Sequence, residues 1–392
     1  MRLLPFLLLF AVMISSSAAD AARTPTTRPQ QLPDPFLFAD GRRVASVDDW
    51  NARRKELLDV ILERQYGKLP PAPKQLIYLM LISHRYRPLM ATHAQYKITC
   101  DLGDGRPAVA FIIDMLYPSG DGPFPVILRG DMCWGKTPEI VARQILDRGY
   151  ILADFNRCEL APDRSDAPIG LFEAYRDHEF GAVAAWAWGY HRAVDFLCAQ
   201  PEVDKEKIAI TGHSRSGKAV LLAGAADERI ALTAPNNSGT GGAASFRFQT
   251  PESESLRNIV KNFPTWFSPR LNEFIDREDE LPFDQHSLKA AVAPRALLTT
   301  EALADLHANP SGTWLTHRAA HDVYRFLGAP TRIAIHFRPG SHEHRADDFA
   351  TLLDFADEVF FKKGPAKPRD WDPNQFPEFA PGHSWKAPTT QP

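Results

Sequence analysis

Ile208-Ala209-Ile210-Thr211-Gly212-His213-Ser214-Arg215-Ser216-Gly217-Lys218-Ala219-Val220-Leu221-Leu222 reads as a strand, a tight turn and the start of a helix. Ile208–Thr211 supplies the strand, and Arg215–Ala226 is read as the helix. A turn of this kind lifts a serine hydroxyl clear of neighbouring backbone, which a serine needs if it is to act as a nucleophile. The residues flanking it must be small, because strand and helix crowd each other there. Gly212 satisfies that demand. Position 216 is Ser where the Gly-x-Ser-x-Gly pattern has glycine, with Gly217 one place later. The alternative is a strand–turn–helix whose serine merely caps the helix.

Working outward, strands and helices alternate. Pro125–Leu128 and Tyr150–Asp154 read as strands, with a helix over 138–148 between them. A helix over 181–199 carries Trp186 and Trp188. Ala231–Pro235, Ala296–Thr300 and Ile333–Phe337 are further strands, and Trp314–Leu327 and Ala346–Phe361 are helices. This alternation predicts a mostly parallel sheet with helices on both faces, a three-layer α/β sandwich of the α/β-hydrolase class. Upstream, Val47–Gln65 reads as a helix stopped by Gly67 and Pro70. Tyr96–Cys100 and Val109–Leu116 read as a hairpin around Gly103-Asp104-Gly105. The segment from Gly239 to Pro294 interrupts the alternation, as a lid or substrate wall would.

In this class the chain order is nucleophile, acid, histidine. The histidine should follow the last strand, where His342 stands in Arg338-Pro339-Gly340-Ser341-His342, with His344 as competitor. Either could instead be an ordinary solvated loop histidine. The acid should come from the loop after 296–300, where Glu301 and Asp305 are the choices. Asp305 has the better distance from the strand end. Its plain alternative is a local turn or helix cap. The other loop of origin, after 231–235, offers only Asn236 and Asn237. Backbone N–H groups at the helix start would face a developing oxyanion, and Arg215 adds fixed positive charge beside it. Lys218 lies a turn further on, within reach of sugar hydroxyls or a carboxylate, or else is an ordinary solvated helix lysine.

The bulk properties bound the rest. The chain has 392 residues, 44% hydrophobic and 24% charged, so a sizeable core is available. A net charge of −3 argues against nucleic acid or an anionic membrane as partner. Arg2, an apolar run from Leu3 to Ile14 and small residues to Ala21 predict a signal peptide over 1–21, hence a secreted or periplasmic protein. A linker is expected over 22–36, the esterase domain over 37–364, and over 365–392 a Pro-rich tail that wraps the surface or is disordered. Four cysteines permit disulfides or free thiols. No zinc spacing is present, no metal or organic cofactor is needed, and a monomer is expected.

These motifs resemble the glucuronoyl esterases, a carbohydrate esterase family. Its signature is Gly-Cys-Ser-Arg-x-Gly-Lys, matched by Gly212–Lys218 with His213 in place of Cys. The likeness continues through Ala185-Trp186-Ala187-Trp188-Gly189, Asn237-Ser238-Gly239-Thr240-Gly241-Gly242, Leu281-Pro282-Phe283-Asp284-Gln285-His286, Ala293-Pro294-Arg295 and Gly340-Ser341-His342. The resemblance implies cleavage of an ester between glucuronic acid on xylan and a lignin alcohol. It implies Ser214 as nucleophile, Arg215 at the oxyanion and Lys218 on the sugar. Fungal-type members carry their acid where Asn237 stands; many bacterial members use the later loop, which fits Asp305. The fungal-type disulfide beside the nucleophile is absent, because His213 replaces one cysteine and none follows His342. His307 occupies the place of an expected substrate tryptophan, and Glu254 is the candidate for a polar sugar contact. Two other readings stay open, a carbohydrate O-acetyl esterase and a catalytically impaired carbohydrate-binding relative. Nothing suggests a peptide cleft.

Overall fold

Ser46 opens the first helix with a reciprocal cap. Its hydroxyl accepts the Asp49 N–H, and the Asp49 carboxylate accepts the Ser46 N–H. Helix α1, Val47–Ile61, buries Trp50, Leu57 and Ile61. The expected helix runs on to Gln65, but the structure changes to a wider turn at Leu62–Tyr66. That turn lets Gln65 and Tyr66 both donate to the carbonyl of Gly241, at 3.1 and 2.8 Å. In this computed structural model the described residues are 31–164, 167–364, 369–377, 379 and 382–389. The signal-peptide expectation therefore lies outside them.

The elements that follow are β1 (Gln75–Tyr86), β2 (Ala91–Asp101), β3 (Val109–Tyr117), β4 (Phe124–Arg129), α2 (Glu139–Asp147), β5 (Ile151–Phe155), α3 (Leu171–Ala174), α4 (Ala182–Cys198), β6 (Val203–His213), α5 (Arg215–Ala226), β7 (Leu232–Asn236), α6 (Leu256–Asn262), α7 (Gln285–Ala290), β8 (Ala296–Ala302), α8 (Pro310–Phe326), β9 (Ile333–Arg338) and α9 (Ala346–Phe361). One sheet runs β1-β2-β3-β5-β4-β6-β7-β8-β9. β1, β2, β3 and β5 pair antiparallel in turn; from β5 to β9 every pairing is parallel. Parallel strands are covered on both faces, so β5 and β7 are buried at every residue. Successive side chains of β4 point to opposite layers. Val126 and Leu128 belong to the same buried cluster as Trp186 and Tyr190 of α4 and Val220 of α5, whereas Ile127 belongs to the cluster that holds Val141 of α2 and Phe349 of α9. This is the expected α/β-hydrolase sandwich.

The termini correct the expected boundaries. The linker expectation fails over residues 31–36, because Leu32 and Phe36 are core residues. Phe36 is fully buried, with its ring against Trp50 and Phe326. The described part of the tail wraps the surface rather than trailing away. Ile335 N–H donates to Trp371 O, Trp314 Nε1 to Pro373 O and Leu32 N–H to Gly382 O. The described residues near both ends thus pack onto the α/β sandwich. No helix among the described residues is long and apolar enough to cross a membrane.

Candidate active site

Ser214 sits at the turn between β6 and α5 with φ 56° and ψ −121°, a conformation an L-residue adopts only under constraint. Its N–H donates to Asn236 O at 2.9 Å, which ties the turn to the end of β7. Glycine is required at 212, where a Cβ would lie 2.5 Å from Ser216 Oγ. At 217 a Cβ would lie 2.9 Å from the Ser238 Cβ. Ser216 is tolerated in the motif's glycine place because its hydroxyl meets the buried Tyr190 hydroxyl at 3.1 Å.

The loop after β9 brings His342 over the serine. His342 Nε2 lies 2.9 Å from Ser214 Oγ, and Nδ1 lies 2.5 Å from Asp305 Oδ2. A carboxylate only accepts, so Nδ1 carries the proton and Nε2 is left to accept from the serine hydroxyl. Asp305 begins the short turn Leu306–Ala308, but its side chain caps nothing there. Its carboxylate is buried and faces the imidazole. Glu301 points elsewhere: fully buried in β8, its carboxyl is pushed up to about 8 by burial and by Asp305.

The competitor His344 is placed away from Ser214. Its ring stacks on Phe349 at 4.2 Å, and burial holds its pKa well below the usual histidine value. Between the two lies His213, 4.5 Å from the His342 ring and 5.9 Å from that of His344. His213 Nδ1–H donates to Asn236 Oδ1 at 2.7 Å, and burial pushes its pKa down to about 4. Asn237 bridges the two loops. Its Nδ2 donates to Glu343 O, and its Oδ1 accepts the Ala302 N–H. A carboxylate in that place could not donate to Glu343.

The other side of the turn is charged. Arg215 Nη1 donates to both oxygens of Asp163 at 2.9 Å, and its guanidinium lies over the rings of Trp266 and Phe263 at 4.6 and 5.1 Å. Asp163 is 3.7 Å from the fully buried Arg157, which bonds Asp131 at 2.7 Å. The second oxygen of Asp131 accepts the N–H of His213. Sequence reasoning missed Asp131, Arg157, Asp163 and Trp266. Each is recruited across long sequence separations, and no local pattern marks them.

Lys218 is buried rather than solvated. Its ammonium donates to Ser238 O and Thr240 O at 2.5 and 2.6 Å, and burial pushes its pKa down to about 8. Two of its three N–H groups are thereby occupied, leaving one for a ligand. Glu254 and His307 are brought together beside it. His307 Nε2 lies 3.6 Å from the nearly buried Glu254 carboxylate, and Glu254 N–H donates to His307 O. His307 itself is two-thirds exposed.

Comparison with known proteins places this geometry. The family model "Glucuronyl esterase, fungi" matches residues 101–328. The chain is 33% identical over 342 residues to 4-O-methyl-glucuronoyl methylesterase 1 of Wolfiporia cocos, covering 83% of this chain and 79% of that protein. A carbohydrate esterase family 15 glucuronoyl esterase from Caldicellulosiruptor kristjansonii superposes with TM-score 0.78 at 32% identity, over 90% of this chain and 95% of that one. A serine-to-alanine variant of the Sporotrichum thermophile glucuronoyl esterase, solved with methyl 4-O-methyl-β-D-glucopyranuronate, superposes with TM-score 0.72 at 25% identity, over 86% and 89% of the two chains. This chain belongs to the glucuronoyl esterase family.

Proposed function

We propose that the protein hydrolyses glucuronoyl esters of plant polysaccharide, of the glucuronoxylan–lignin type, through an acyl-enzyme on Ser214. The observation that carries this is the pair of hydrogen bonds running from Ser214 through His342 to Asp305. In this reading His342 takes the serine proton as Oγ attacks the uronoyl carbonyl, then returns it to the leaving alcohol. Asp305 holds the imidazole in the correct tautomer and steadies its charged form. The first N–H groups of α5 and the Arg215 guanidinium stabilise the oxyanion. Water then repeats the sequence on the acyl-enzyme. Lys218, Glu254 and His307 form the sugar side, where the remaining ammonium N–H meets the uronate's oxygens. The ligand bound to the Sporotrichum thermophile relative supports a methylated uronate as the acyl group. The signal peptide expected over 1–21 supports export to the periplasm or the medium, and in this reading the protein works as a monomer on a carbohydrate ester.

The test compares methyl 4-O-methylglucuronate with acetylated xylan, using Ser214→Ala as the blank. The reading predicts Ser214-dependent methanol release. Acetate release with methyl glucuronate spared would replace it by an O-acetyl esterase.

A further inference from the structure

Cys133 lies in the turn Met132–Trp134 after β4, and Cys158 in the turn Arg157–Glu159 after β5. The two turns are neighbours. Asp131 and Asn156 form an antiparallel bridge, Arg157 N–H donates to Gly130 O at 3.3 Å, and Arg157 Nη1 bonds Asp131. The two turns that carry the cysteines are in contact, and the two thiols lie near enough to perturb each other's titration. Both are half-buried rather than sealed in the core, and all four cysteines are free thiols in this structure. Cys100 is buried on β2, and Cys198 ends α4.

We propose that Cys133 and Cys158 form a disulfide in the mature protein, a covalent clamp between the β4 and β5 turns. Two thiols lose two protons and two electrons as the S–S bond forms. The acceptor is a disulfide, either of an oxidoreductase or of oxidised glutathione, whose own S–S bond is reduced to two thiols. One thiolate attacks that disulfide, helped by the Arg157 charge that favours the thiolate form of both cysteines, and the other cysteine then displaces the mixed disulfide. The clamp sits beneath the nucleophile turn, because Asp131, two residues before Cys133, accepts the His213 N–H. It also fixes Arg157, which separates Asp131 from Asp163 and so from Arg215.

The experiment reads thiols, so its outcome is independent of ester specificity. Folded wild-type protein is equilibrated in a mixture of oxidised and reduced glutathione, then unfolded, alkylated with iodoacetamide and mapped by peptide mass. The expected map has Cys100 and Cys198 alkylated and the Cys133 and Cys158 peptides joined until reductant is added. Reduction is expected to lower the Tm by about 5 °C, the order set by a loop of this length. The Cys133→Ser/Cys158→Ser double variant should show the reduced value with or without glutathione. Four alkylated cysteines in the equilibrated wild type, or a link involving Cys100 or Cys198, would overturn the proposal.

Discussion

On its β9 side Ser214 meets a histidine held lightly. His342 is 43% exposed, with one hydrogen bond on each ring nitrogen. On its β5 side stands Arg215, locked to Asp163 and sandwiched by aromatic rings, with a buried relay running back to Arg157 and Asp131. The difference follows from what each side must do. In the proposed mechanism the histidine side gains and loses a proton in every turnover, and its neighbours are a single carboxylate and two histidines whose pKa values burial pushes down. Positively charged neighbours there would oppose the imidazolium. In that reading the arginine side presents a constant charge, and a buried ion network holds it without having to change state.

Breaking the histidine side should cost most. Ser214→Ala is expected to lower kcat by about six orders of magnitude, as loss of a triad nucleophile does, measured on benzyl glucuronate. Asp305→Asn keeps the shape but favours the wrong imidazole tautomer, and should cost about 10⁴-fold; a loss below ten-fold would move the acid elsewhere. Breaking the constant-charge side should cost less. Arg215→Met should lower kcat by about 10²–10³-fold, the scale of one oxyanion donor, with KM little changed. Lys218 sharpens the contrast through pH. Burial pushes its pKa down to about 8, so it is charged below that pH and neutral above it. KM for a uronate ester should therefore rise as pH passes about 8, and the rise should vanish in Lys218→Met. The smallest effect is expected from Asn237→Ala, which removes two loop hydrogen bonds and should destabilise by about 1–3 kcal/mol, read by urea denaturation.

Much of this was legible in the chain because it depends on local pattern. The last helix was read with the observed bounds, Ala346–Phe361, since its apolar stripe and entry are both local. Chain order narrowed the choice to His342 or His344 and Glu301 or Asp305; the family resemblance favoured His342 and the distance from the strand end favoured Asp305, and the structure joins these two to Ser214 by hydrogen bonds. β1 was not legible. As an edge strand it exposes Leu79, Met80, Leu81 and Ile82, and a register shift between Met80 and Ile82 breaks the two-residue period. Phe36 was read as linker because Pro and Gln surround it, yet one large side chain in the right socket ends a linker. The Arg215–Asp163 pair was hidden for a different reason. Its members lie 52 positions apart, and only the folded sheet makes Asp163 the partner.

The most direct measurement of the central claim is covalent capture. Folded wild-type protein treated with a serine-reactive phosphonate should gain one adduct, mapped by peptide mass to Ser214, and His342→Ala should react far more slowly. An unmodified Ser214 in folded, catalytically active protein, or an adduct on another serine, would contradict the account.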